Sequence, residues 1–400
     1  MRITERDGEF QRKQKDARMP ARDSHKEERM TPRQGGQDFD LRRARDAPSP
    51  GASRSHRQAV PLPMEADPLQ ATPEVTQQAK TYGSEPVAGN NNGYITAQEF
   101  SSQDTSGRMP FSEDALRIMR AVRFSAQLGY QIEEKTKAAI EELAPTLKKI
   151  SAERIQVELV KLLMSPHPDY LRVAYEAGIT AEFLPEFDAC MTTSQNTPHH
   201  CYTVGEHILH SLCHVRADKV LRITMLLHDI GKPVVRKTDE NGRDHFKMHG
   251  IAGEKMAAQI LRRLKFDNDT IRKVTRLVKW HDDRPEGMTK AVRRAVNRIG
   301  EELFPYYLEV QQADMLAQSD YRRAEKQERL DKVKEAYETI INEHQCVSLK
   351  TLAVTGKDLI EAGYKPGREI GETLNRLLEV VLADPQKNQK EILLGMLDEK

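Results

Sequence analysis

Tryptophan occurs once in this chain and cysteine four times, at Cys190, Cys201, Cys213 and Cys346. The cysteines form no CxxC pair and no dense framework. That excludes a disulfide-stapled scaffold and leaves reduced thiols in a cytoplasmic protein as the expectation. His199-His200-Cys201 is a local Cys/His grouping, but no second pair at zinc-finger spacing follows it. No apolar run approaches the roughly 18 residues of a membrane span, so no membrane contact is expected. The opening string MRITERDGEFQRKQKD lacks the apolar core of a secretion signal. A dominant charge is missing too. Lys+Arg total 62 against 61 Asp+Glu, so net charge points to no class of partner.

What the chain does have is charge of both signs, at 31%, with only 6% aromatics, a polar and helix-rich balance. Its 400 residues suggest two or three domains and suffice for a sizeable core. Residues 1–105 stand apart. They are rich in Arg, Asp, Gln, Pro, Ser and Gly, with linker-like strings such as APSPGASRSHRQ and GNNNG and no sustained apolar period. Such a stretch buries too little surface to offset its ordering entropy, so disorder is expected there.

Periodicity begins near Phe111. In EDALRIMRAVRFSAQLGY, Leu116, Met119, Val122 and Ala126 recur at helical spacing, with Ser112 placed as N-cap and Gly129 as stop. EEKTKAAIEELAPTLKKI predicts a helix broken at Pro145, and SAERIQVELVKLLM another, capped by Ser151. A shorter helix ends at Gly178. From Thr203 onward the pattern is again helical, and VLRITMLLHDIG is apolar enough to be central. The strand expectation after residue 110 is one short hairpin, KPVVRKTD with RDHFKMH across Asn241-Gly242.

His228-Asp229 ends the most apolar helix, with Gly231 and Lys232 just after it. A tandem His-Asp on a buried helix is costly unless something satisfies both side chains, and a divalent cation would do so. The other ligands should come from other helices, where His207, His249, His281 and Asp314 lie at ends or inner faces. Mixed imidazole and carboxylate ligation suits manganese, iron, nickel, cobalt or zinc, with magnesium reachable through the carboxylates. His210 and His214 share a face with His207 and are read as neighbours.

The ordered set His207, His228-Asp229, Asp314, with HDIGK at 228–232, resembles the HD phosphohydrolase superfamily. That resemblance implies an all-α domain in which Asp229 is the central carboxylate ligand and Lys232 steadies phosphate charge. The alternative for Lys232 is a solvated lysine after a helix end.

Longer strings resemble the bacterial CCA-adding tRNA nucleotidyltransferase and poly(A) polymerase family. They are FSEDALRIMRAVRFSAQLGY, SAERIQVELVKLL, QNTPHHCYTVGEH and the C-terminal LAVTGKDLIEAGYKPGREIGETLNRLLEVVLADPQKN. The resemblance covers about three quarters of the chain, from Gly107 to the end. It implies an all-α neck, body and tail enclosing the HD-type bundle, preceded by the disordered N-terminal region. Residues 106–190 would be the end of a catalytic head plus an RNA-binding neck, 191–320 the HD domain, and 321–400 the body and tail. It implies tRNA and ATP or CTP as partners. Glu113, Asp114 and Arg117 match the nucleotide-templating string, and Arg120 and Arg123 match further nucleotide-contacting arginines. A solvated basic helix face is the alternative for those arginines.

The family also implies a head with a Gly-Ser turn followed by an Asp-x-Asp strand. Here Asp38-Phe39-Asp40 lacks a flanking apolar strand, and Gly83-Ser84 comes after it. The expectation is therefore a tRNA-binding HD phosphohydrolase, acting on phosphate esters of nucleotides or RNA 3′ ends, that has lost CCA addition. A non-catalytic tRNA-binding module completing a separate head subunit, and an active CCA-adding enzyme with a divergent head, are the alternatives. Basic clusters Lys148-Lys149 with Arg154, Arg293-Arg294 with Arg298, and Arg322-Arg323 with Lys326 are interleaved with acidic residues and read equally as solvated helix surface.

Overall fold

A computed structural model of the protein describes residues 115–397 and the backbone of Tyr94–Ile95. Within these residues the chain is all-α, as the periodicity predicts. Helix α1 (Leu116–Leu128) ends at Gly129, whose φ of 69° is the left-handed cap expected of glycine. Helix α2 (Glu134–Leu143) gives way to a 3-10 segment, Ala144–Lys149, at Pro145, where the ring removes a helical donor. Helix α3 (Ala152–Leu163) packs on α1. Short helices α4 (Leu171–Glu176), α5 (Ile179–Phe183) and α6 (Pro185–Thr192) lead into the central group.

That group comprises α7 (Val204–Leu212), α8 (Lys219–Leu227), α9 (Lys232–Val235), α10 (His249–Arg263), α11 (Asn268–Trp280), α12 (Thr289–Ile299) and α13 (Phe304–Leu316). Side chains cap three of these starts. Thr203 accepts from the Glu206 amide, Asp218 from Val220 and Leu221, and Asp267 from Thr270. Every residue of α8 from Leu221 to Leu227 is buried, so this helix runs through the interior. The tail holds α14 (Arg323–Asn342), α15 (Gly356–Glu361), α16 (Arg368–Ala383) and α17 (Lys390–Gly395).

Two apolar cores organise these helices. The first gathers α1 through α8 with α10 and part of α11, and the second gathers α12 with the tail helices. Helices α11 and α13 serve both, through Val274 and Val310 on one side and Leu277 and Phe304 on the other. His281 caps α11 and Asp314 lies on α13, so both sit on the helices shared by the two cores. No helix among the described residues is long and apolar enough to cross a membrane.

The expected hairpin is present as β3 (Lys237–Thr238) paired antiparallel with β4 (Asp244–His245). One expectation fails. Gln131–Ile132 (β2) pairs in parallel with Tyr94–Ile95 (β1), a strand pair in regions read as helix connection and disorder. Two residues per strand are too few to show a period of two. Ser112, Glu113, Asp114, Asp38, Asp40 and Gly83-Ser84 lie outside the described residues.

Candidate metal centre

Close helix contacts assemble the centre. A Cβ on Gly231 would stand 2.4 Å from the His249 carbonyl oxygen, and one on Gly250 would stand 2.6 Å from that of Lys279. These glycines let the turn after α8, the start of α10 and the end of α11 meet backbone to backbone. The result brings His228-Asp229, His249 and His281 together, while α7 and α13 supply His207 and Asp314.

Four imidazoles share one orientation. His228 Nδ1 lies 2.7 Å from the Met225 carbonyl, His281 Nδ1 2.7 Å from Val278, His249 Nδ1 2.8 Å from Phe246 and His207 Nδ1 3.2 Å from Ala317. A carbonyl can only accept, so each Nδ1 carries the proton and each Nε2 presents a lone pair when the ring is neutral. Those four Nε2 atoms surround one carboxylate. Asp229 Oδ2 is 3.3 Å from His228 and 3.6 Å from His207, and Oδ1 is 3.4 Å from His281 and 3.5 Å from His249.

The same tautomers bring like atoms together. His228 and His207 approach Nε2 to Nε2 at 3.2 Å, and His249 and His281 at 3.0 Å. Two lone pairs facing each other repel unless a proton or a cation lies between them. Burial, with His281 and Lys232 nearby, lowers the His249 pKa to about 4, so its ring is neutral at pH 7. Asp229 is buried; Lys232 reaches its Oδ2, and its Oδ1 has no hydrogen-bond partner. Four imidazole Nε2 atoms converging on one buried carboxylate fit a divalent cation. It divides into two half-sites, His207/His228/Asp229 and Asp229/His249/His281, which share Asp229. Asp314 adds a second carboxylate to the first, with Oδ1 2.9 Å from His207 Nε2.

Electrostatics keep both carboxylates ionised. Burial pushes the Asp229 pKa up, but Lys232 and His228 outweigh it and hold the group well below the usual range. For Asp314 burial is likewise outweighed, here by the His207 hydrogen bond and charge. Lys232 is buried, with Nζ 2.7 Å from Asp229 Oδ2 and donating at 2.7 Å to Gln195 Oε1. It is therefore turned inward onto the centre, and the solvated-lysine alternative does not hold. Gln195 was not singled out in the sequence. His200 is a further neighbour, its ring 5.0 Å from that of His207 and its pKa lowered to about 2 by burial, Lys232 and His207. Cys201 is exposed and belongs to no metal-capable group among the described residues.

The α1 arginines are finished differently. Arg123 is buried, with Nε 2.7 Å from Glu158 Oε2 on α3, Nη1 donating to Gln127, and its guanidinium over the Phe124 ring. Arg120 lies 3.5 Å from the same glutamate. Arg117 is half-buried on the same helix, and Glu113 and Asp114 lie outside the described residues. Of the basic clusters, Arg293 is buried and donates to the Leu382 carbonyl and Gln345, tying α12 to the end of α16. Lys148, Arg294, Arg322 and Arg323 all have carboxylate partners.

Fold and centre together define an all-helical protein built around a cluster of imidazoles and carboxylates suited to a divalent metal. Residues 129–191 match a family model described as "Probable RNA and SrmB- binding site of polymerase A", and residues 248–397 match one described as tRNA nucleotidyltransferase domain 2. The chain is 31% identical over 280 residues to the CC-adding tRNA nucleotidyltransferase of Thermus thermophilus, covering 67% of this chain and 62% of that one. It is 32% identical over 282 residues to the A-adding tRNA nucleotidyltransferase of Deinococcus radiodurans, covering 66% and 64%. Its fold is similar to that of the Bacillus stearothermophilus CCA-adding enzyme crystallised with CTP, at a TM-score of 0.50 and 24% identity, covering 72% of this chain and 62% of that one. The chain belongs to the bacterial CCA-adding tRNA nucleotidyltransferase and poly(A) polymerase family. It spans less than two thirds of the length of the relatives it matches.

Proposed function

We propose that this protein is a divalent-metal-dependent phosphohydrolase of the HD type within the tRNA nucleotidyltransferase family. Its substrates are phosphate esters of nucleotides or RNA 3′ ends, including cyclic phosphates, and tRNA is its macromolecular partner. The observation that carries this reading is the common orientation of His207, His228, His249 and His281. Each commits Nδ1 to a backbone carbonyl and turns Nε2 toward Asp229.

His207, His228, Asp229 and Asp314 would hold one cation, and His249, His281 and Asp229 a second. Cations held there would supply Lewis acidity toward phosphoryl oxygens and would lower the pKa of a water. The chain's own contribution is geometric. The four carbonyls fix the imidazole tautomers, and Lys232, held by Gln195, orients Asp229 and offsets its charge. Nucleotide addition is assigned no part of this centre. The metal-capable groups among the described residues are the two around Asp229, and Arg123 already has a counter-charge in Glu158.

The test is hydrolysis of a nucleoside 2′,3′-cyclic phosphate and of a generic phosphodiester by purified protein with manganese or nickel. Asp229→Ala should lose more activity than the roughly 10–100-fold that follows loss of an outer-shell partner. Equal activity in the folded variant would reject the reading. Incorporation of CTP and ATP into tRNA lacking its terminus would instead restore the nucleotidyltransferase alternative.

A further inference from the structure

Beside the metal centre, and sharing Asp314 with it, lies a shallow cleft that encloses only about 10 Å³, roughly one water, and opens to solvent at its mouth. It is walled by α13, α14 and the segment after α11, with Arg284, Lys326 and Arg329 as its cations. The outer face of α14 is charge-balanced, with Arg322 paired to Glu325 and Lys332 to Glu328. The inward positions are not. Lys326 is buried and donates only to a neutral partner, Gln318 Oε1, at 2.9 Å. Arg329 is half-buried and makes no ion pair or hydrogen bond among the described residues.

Arg284 has one close carboxylate, Asp282 at 2.8 Å. Asp314 offers the cleft little. Its Oδ1 serves His207, its Oδ2 accepts from Gln318 at 2.9 Å, and Arg284 reaches it only at 3.9 Å. Three cations therefore face one cleft with a single committed counter-charge. Burial and the mutual repulsion of these groups lower the pKa of both Lys326 and Arg329. Withdrawing the Lys326 ammonium from water with only a neutral hydrogen-bond partner is unfavourable, and with Arg284 and Arg329 at the same mouth the cleft favours an anion. Lysine and two guanidinium forks suit phosphate oxygens.

We propose that this cleft receives a second, non-reacting phosphate of the substrate, so that the preferred substrate is an RNA 3′ end carrying an internucleotide phosphate beside its terminal one. This rests on the hydrolase reading for the identity of the first phosphate, but not for the binding itself. Arg284, Lys326 and Arg329 act as specificity residues, selecting an oligonucleotide terminus over a mononucleotide. The reacting group stays at the imidazole cluster.

Equilibrium binding to the full chain in EDTA separates the two claims, because turnover is not needed. The ligands are cytidylyl-(3′→5′)-cytidine 3′-phosphate, cytidine 3′-phosphate and cytidine 5′-diphosphate. The dinucleotide should bind roughly ten-fold tighter than the mononucleotide, the scale of one charged hydrogen bond. Arg329→Gln and Lys326→Gln should each remove most of that preference, and circular dichroism melts should show that both fold. Equal binding of the two ligands by the intact chain, or an unchanged preference in both variants, would overturn the proposal. A gain with the diphosphate and none with the dinucleotide would overturn the assignment to an RNA end. If manganese-loaded protein hydrolyses neither ligand while the preference holds, the hydrolase reading falls and the cleft stands.

Discussion

Two buried clusters of ionisable side chains lie in this helical frame, and they are completed in opposite ways. On α1 and α3, buried Glu158 closes on buried Arg123, a neutral pair, with the half-buried Arg120 alongside. Around Asp229, four imidazoles and two carboxylates converge with one buried lysine, and Nε2 atoms face each other at 3.0 Å and 3.2 Å. Both clusters could be suspected of function from sequence. The first pairs its buried charges within the chain and reads as packing, whereas in the second Lys232 is the one cation against two buried carboxylates, and Asp229 Oδ1 has no hydrogen-bond partner. A buried polar cluster points to a ligand when its own partners run out.

The comparison can be broken by variants that act on one cluster alone. Glu158→Ala leaves the Arg123 guanidinium buried without its counter-charge. It should cost about 3 kcal/mol of stability, read by denaturant unfolding, with metal content unchanged in the protein that remains folded. A fall in metal content at full stability would mean that the two clusters are coupled.

Gly231→Ala tests the backbone approach that assembles the second cluster. A methyl group 2.4 Å from the His249 carbonyl must push the chain apart. Stability should fall by about 1–3 kcal/mol, and metal affinity should fall with it. Unchanged affinity would show that His249 does not depend on that contact.

The smallest effect concerns the β3–β4 hairpin near Gln195. Asp244 is buried, which raises its pKa, but hydrogen bonds from Arg236, the Asn196 amide and Thr238 lower it to about 2. The unfolded chain therefore binds more protons than the folded one as pH falls from the ordinary carboxylate range toward 2. Stability from this group is complete above that range and is lost through it. Asp244→Asn should flatten this part of the acid-denaturation curve, and an unaltered curve would remove Asp244 from the account.

Much of the imidazole and carboxylate cluster was legible in the sequence, because a His-Asp pair on an apolar helix declares its own cost, and because His207, His249, His281 and Asp314 fall at helix ends or inner faces. The family resemblance added the order in which they should meet. Gln195 was not legible, since a loop glutamine carries no period and its role depends on where Lys232 turns. Nor was the difference between Arg322 and Arg329. Arg322 caps the helix that carries Arg329, and only packing shows that 326 and 329 face inward while 322 pairs with Glu325. The pairing of β1 with β2 escaped because two-residue strands leave no pattern. Gly231 and Gly250 were visible as glycines, but what their missing Cβ atoms would strike belongs to the tertiary structure.

Metal analysis of the purified intact chain, beside Asp229→Ala, tests the central claim most directly. The account predicts about two divalent ions per chain after manganese loading and desalting, since Asp229 joins two half-sites, and near-complete loss of both in the folded variant. An intact chain that retains no metal, or a variant that retains as much as the intact chain, would contradict it.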